Sequence, residues 1–170
     1  MDRPDRVVLE VAVPPVLRRG ARARGFTLVE VVIVLCAAAI LAGVAVSYYT
    51  GYLYKSQVQL AVRDIGILQA RIDKYYSDFN TYPTDLTDLN LQASEITDPW
   101  GFQYQYINHA LVSGAGHIRR DRSLNPLNPD YDLYSIGQDG DSKMPITAAE
   151  SQDDVIRALG GAYIGLAGGF

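Results

Sequence analysis

The 170-residue chain has a single cysteine, Cys36, and two histidines, His109 and His117, that stand apart. No intramolecular disulfide can form, and no Cys/His set has the spacing of a zinc site. Positive charge is also scarce. Fifteen Lys and Arg stand against 19 Asp and Glu, and after residue 25 nine positive side chains face sixteen negative ones. Such an acidic body offers no basic face for nucleic acid. Catalytic signatures are missing too. Ser113 and His117 in VSGAGH lie four residues apart on a glycine-rich stretch that cannot fix a triad. The glycines of GAGHIR and GLAGG do not form a GxGxxG turn opening a helix. The chain is not read as an enzyme, and its length fits one domain plus an extra segment.

What is present is an uneven layout. Residues 1–25 carry six Arg against Asp2, Asp5 and Glu10, with Arg18, Arg19, Arg22 and Arg24 clustered at the end. From Phe26 to Val46 the chain is apolar except for Thr27 and Glu30. That is about the length a helix needs to cross ~30 Å of hydrocarbon. No small-residue cleavage site follows; Tyr48, Tyr49, Tyr52 and Tyr54 form an aromatic belt with Lys55 beyond. The segment reads as a retained anchor, with the Arg cluster cytoplasmic and the bulk of the chain across the membrane. Glu30 is either close enough to the end of the span to reach water or paired in the membrane, where ionisable groups are costly and usually functional. Its candidate cations are Arg22, Arg24 or, if the head is removed between Gly25 and Phe26, the new α-amino group of Phe26.

Beyond the anchor, Val58, Ala61, Val62, Ile65, Leu68, Ile72, Tyr75 and Phe79 recur at three- and four-residue steps. This stripe predicts that the helix continues to about Phe79, one-sided in its second half, with Arg63, Asp64, Arg71, Asp73, Lys74 and Asp78 on the other face. Asn80 and Pro83 end it. Residues 84–97 read as a loop with at most a short helical turn. GFQYQYI and YDLYSIG read as strands, AYIGLAG as a last short strand, and the stretch near 110–118 as a weak candidate for pairing. Pro126 and Pro129 enforce a loop. The expected fold class is α+β: a long N-terminal helix packed on a small antiparallel sheet.

RGFTLVE (24–30) followed by an apolar helix resembles the class III signal of type IV pilins and type II secretion pseudopilins. The resemblance implies cleavage after Gly25 by a prepilin peptidase, methylation of Phe26, and an assembly role for Glu30, the fifth residue after the cut. KYYSDFNTYPTDLTDL, DPWGFQYQYI and DYDLYSIGQDGD resemble the major pseudopilin of type II secretion, the general secretion pathway protein G family. Two departures stand out: Ser47 occupies the place of a helix-bending proline, and no tryptophan follows the C-terminal aspartates. The 25-residue head, with VVLEVAVPPVL in it, is longer than many pilin leaders. The implied organisation is a leader over 1–25, a transmembrane helix over 26–47, its amphipathic continuation over 48–79, and a periplasmic pilin-like domain over 80–170 that packs with 55–79.

In SIGQDGDS and SQDDVIRA, Asp139, Asp141, Asp153 and Asp154 are oxygen donors of the kind calcium takes, although the spacing is not that of an EF-hand. Each half also has an ordinary reading, Asp-Gly as a turn and SQDD as a helix N-cap. The family resemblance implies a structural calcium ion held by the Ile136 backbone carbonyl, Asp139, Asp153 and Asp154. It further implies a subunit of the secretion pseudopilus, a homopolymer formed from inner-membrane subunits. Its partners would be the prepilin peptidase, the inner-membrane assembly platform and its ATPase, and minor pseudopilins. The rival readings are a type IV pilus subunit for adhesion or motility and a non-polymerising minor component.

Overall fold

The computed structural model describes residues 25–170, so the basic head and its arginines lie outside the described residues. The chain divides into two compact units, one ending at Gly43 and the other spanning Val44–Phe170. Helix α1, Leu28–Phe79, begins in the first and ends in the second.

At its start the backbone carbonyl of Thr27 accepts from Val31, the first turn of the helix. The Thr27 hydroxyl accepts the Glu30 N–H at 3.2 Å, and Glu30 Oε2 accepts the Thr27 N–H at 2.9 Å and hydroxyl at 2.8 Å. This reciprocal Thr-x-x-Glu box satisfies donors that every helix N-terminus leaves free. The helix ends as the sequence predicts: Asn80 adopts a left-handed φ of 55° and its N–H bonds to the Tyr76 carbonyl. Pro83 follows, buried under the domain.

In the larger unit the stripe of α1 enters the core. Val58, Ala61, Ile65, Leu68 and Ile72 are buried, and Val62 packs beside them. The stripe stops short of its expected length, since Tyr75 is half-buried and Phe79 is exposed. Aromatics of the last turn meet each other instead, Tyr75 tilted against Phe79 at 4.6 Å between ring centroids.

The sheet has four antiparallel strands in sequential order: β1 Gln105–Asn108, β2 Tyr131–Ser135, β3 Val155–Ala158 and β4 Tyr163–Leu166. Each is hydrogen-bonded to the next, with Gln105 opposite Tyr134, Tyr134 opposite Ile156 and Ile156 opposite Gly165. Alternation sorts the side chains. Tyr131, Leu133 and Val155 face the helix with Tyr104 and Leu86. Tyr134, Ile156 and Ala158 face the other way, onto Leu127, Ile146 and Ala167. β2 is therefore buried along its whole length, Asp132 and Ser135 included.

Two expectations need correction. The stretch near 110–118 forms no strand, only a short 3₁₀ turn at Ala115–His117, because Gly114 sits at φ 94° and breaks extended backbone. Conversely, SQDD caps no α-helix: a 3₁₀ turn at Ala149–Ser151 leads into β3, whose VIRA pairs on both sides. Residues 84–97 carry two short 3₁₀ turns, Leu86–Leu89 and Ala93–Glu95, the first with an Asp85/Asp88 capping box.

A buried arginine joins helix and sheet. Arg157 on β3 makes a two-pronged contact with Asp130 at 2.9 and 2.8 Å, donates to the Tyr131 carbonyl, and reaches Gln69 of α1 at 3.2 Å. Its guanidinium lies 4.0 Å from the Tyr131 ring centre. Burial alone would raise the Asp130 carboxyl, but the Arg157 hydrogen bonds, the Tyr131 N–H and the guanidinium charge outweigh it and hold the pKa below its ordinary 3.8.

Two predictions follow the packing and the pair. Leu68→Ala is expected to destabilise the domain by about 2–5 kcal/mol, while Leu60→Ala on the exposed side stays within about 1 kcal/mol; chemical unfolding of the full chain in detergent measures both. For Asp130 the unfolded chain binds more protons at acid pH, so its stabilisation is complete above the ordinary value of 3.8 and is lost as pH falls below it. Asp130→Asn should lower the melting temperature at neutral pH, and the gap to wild type should close below about pH 3.8.

Candidate functional site

The N-terminal region is built from a few residues. Gly25 and Phe26 precede the helix outside any regular element, and Phe26 is 84% exposed. Glu30 sits one turn inside α1, with its carboxylate turned back onto Thr27. Oε2 carries both of those bonds, and a carboxylate has lone pairs for about four. From Leu28 to Val46 each residue is exposed, and α1 is long and apolar enough to cross a membrane. A backbone whose hydrogen bonds are all internal can enter hydrocarbon. Helical structure continues through Ser47, where the resemblance expects a proline.

The C-terminal aspartates lie around the turn that follows β2. Gly137 has φ 72°, and a side chain there would collide with the Asp153 carboxylate and backbone, so only glycine lets the two segments meet. Asp153 Oδ2 accepts the backbone N–H of Gln138 at 2.8 Å and of Asp139 at 3.2 Å. Asp139 is exposed and its Oδ1 accepts the Asp141 N–H, closing its own turn. Ile136 is half-buried against the far-side core.

Asp154 goes elsewhere. It is fully buried, and its Oδ2 accepts from Arg119 Nη2 at 2.6 Å and from the Ser142 hydroxyl at 2.6 Å. Burial pushes the Asp154 carboxyl above the ordinary carboxylate range, and Arg119 and the Ser142 hydroxyl draw it back. The calcium set implied by the resemblance is thus divided. Asp139 and Asp153 meet through backbone N–H groups, Asp154 is engaged by a guanidinium, and no three acidic, His or Cys side chains gather in metal-binding geometry among the described residues. The donor chemistry suits calcium, but the arrangement does not present it as one shell.

Two residues in this region carry no sequence signal. Arg119 and Ser142 stand in polar stretches that read as surface loop. A third link was visible only as a motif: Asp98 of DPWG is buried, caps its own turn through the N–H groups of Trp100 and Phe102, and accepts the Ser135 hydroxyl at 2.5 Å. Ser135 in turn accepts the Gly137 N–H. Trp100 is half-buried, its ring beside that of Tyr54.

Comparison with known proteins supplies the lineage. No family model matches the chain, and no solved structure does. The type II secretion system core protein G of Klebsiella pneumoniae is 33% identical over 141 residues, 79% of this chain and 93% of that protein. The protein of the same name from Pectobacterium carotovorum is 36% identical over 121 residues, 71% of this chain and 72% of its own length. A fimbrial protein of Eikenella corrodens is 32% identical over 93 residues, 55% of this chain and 56% of that protein. The single long helix on an antiparallel sheet and this identity over most of both chains agree: the protein belongs to the type II secretion system core protein G family, the pseudopilins.

Proposed function

We propose that the chain is the major structural subunit of a type II secretion pseudopilus, cleaved after Gly25, methylated at Phe26 and polymerised in the periplasm to drive folded proteins across the outer membrane. The observation that carries this reading is the pairing of an uncovered apolar helix with one carboxylate a turn from its start. An apolar helix of this kind leaves lipid only when other helices replace the lipid around it. Non-closing contacts between identical subunits do that and generate a filament. Before assembly the Thr27/Glu30 box gives the carboxylate internal partners in the bilayer, where an unsatisfied charge costs roughly 2.5–3.5 kcal/mol on insertion scales. After cleavage the terminal amine of Phe26 in a neighbouring subunit is the opposite charge within the same layer. Pairing the two removes both net charges from the apolar sheath of the filament.

In this reading residues 26–47 span the inner membrane and 48–79 carry the helix into the periplasm, where it meets the domain of residues 80–170. The prepilin peptidase acts on the cytoplasmic side of Gly25. The assembly platform with its ATPase extracts the subunit, and minor pseudopilins join the same filament. The role is structural rather than catalytic. The Eikenella fimbrial protein keeps a second reading in view, a type IV pilus subunit serving adhesion or motility.

Glu30→Ala is expected to abolish filament assembly and protein secretion while cleavage after Gly25 continues, read by immunoblot of leader processing and by exoprotein activity in the medium. Secretion at the wild-type level would overturn the assignment. Secretion intact with loss of surface fibres would favour the pilus.

A further inference from the structure

We propose that Arg119 is the resident cation of the C-terminal loops, cross-linking them in the manner that the family resemblance assigns to calcium, and that the fold of this chain is calcium-independent. Three observations carry this. First, the guanidinium is in the interior, with its side chain 1% exposed and that of Asp154 fully buried. A charge in that position is tolerated only when paired and hydrogen-bonded. Second, the site is built. The Arg119 N–H donates to Asp132 Oδ2 at 2.6 Å, its carbonyl accepts from Leu127, and its guanidinium carbon lies 4.2 Å from the centre of the Tyr134 ring. Flanking Arg120 is pinned by backbone bonds to Met144 and Ile146. The residue therefore enters the core from a fixed point. Third, it joins three segments at once: its own loop, Ser142 after the Asp-Gly turn, and Asp154 at the entry to β3. Nη1 donates to the Ser142 hydroxyl at 2.5 Å, Nη2 donates to Asp154, and the Ser142 hydroxyl donates to the same Asp154 oxygen. A divalent ion on that oxygen would stand against the guanidinium and repel it.

The inference concerns the folded domain alone and does not depend on whether the subunit polymerises. Melting of the full chain in detergent, followed by circular dichroism, tests it with calcium or with excess chelator. The wild-type midpoint is expected to be the same in both, and calorimetric titration with calcium is expected to give no binding heat. Arg119→Gln strands a buried carboxylate and should lower the midpoint by about 10 °C or more in either buffer. Arg119→Lys keeps the charge without the two-pronged donor and should fall between the two, which preserves a readout if Arg119→Gln does not fold. Asp154 Oδ1 is a buried atom open to a bound ion, since no protein group donates to it. A chelator-induced drop of several degrees in the wild type, or a stoichiometric calcium isotherm, would therefore overturn the proposal, as would an Arg119→Gln protein that melts like the wild type.

Discussion

An α-helix satisfies its backbone internally but leaves its side chains to find a medium, and this helix needs two media. Between Leu28 and Val46 it exposes apolar side chains in every direction, with Glu30 the one charge. Water is excluded as a surrounding there on free-energy grounds, because each large aliphatic left exposed forfeits roughly 1.5–3 kcal/mol of burial. From Val58 to Ile72 the same helix is one-sided, and the sheet supplies the missing surface. The remaining features are consequences of that change along a single element. The box at Thr27 and Glu30 closes the end that must sit in lipid, and Asn80 with Pro83 closes the end that must stop at the domain.

The domain faces the opposite difficulty, too little apolar material for its number of layers. One face of the sheet meets the helix; the other is covered by the loop segments around Leu127, Ile146 and Ala167. Loops bring polar backbone and side chains into the interior, and these must be paired. The chain answers with two buried arginines used as hubs. Arg157 gathers Asp130, the Tyr131 carbonyl and Gln69, while Arg119 gathers Asp132, Ser142 and Asp154. Neither pair adds much net stability against an apolar replacement of the same shape. Each does fix which loops meet, and in a protein without disulfides that fixes the C-terminal half.

Local patterns carried the parts of the fold that depend on local chemistry. The helix stripe, its stop at Asn80, and the strands at YDLYS and YIGL were legible because periodicity and turn residues act within a few positions. β3 was not, since SQDD carries a good N-cap signal and Arg157 breaks the alternation of VIRA. Only the distant Asp130 makes a buried arginine acceptable in that strand. Arg119 was illegible for the same reason: in RRDR one arginine looks like another, and its burial is decided by Asp154, 35 residues away. The Thr27-x-x-Glu30 spacing was legible in principle, being a capping box by pattern, but the charge of Glu30 against an apolar background drew the reading toward a distant partner instead of the residue three positions before it.

That local partner bears on how such a subunit can be both stored and assembled. A carboxylate with no partner in lipid would be neutralised by protonation or drawn to the headgroups. One clamped only by an intermolecular amine would be unsatisfied in every monomer. The Thr27 N–H and hydroxyl stand between these limits: they bind Glu30 Oε2 within the chain and leave a carboxylate with further acceptor capacity. In the proposed filament, pairing Glu30 with a neighbour's amine would then not need to break the helix cap. The cost of assembly there would fall on taking the apolar surface out of lipid rather than on freeing the carboxylate.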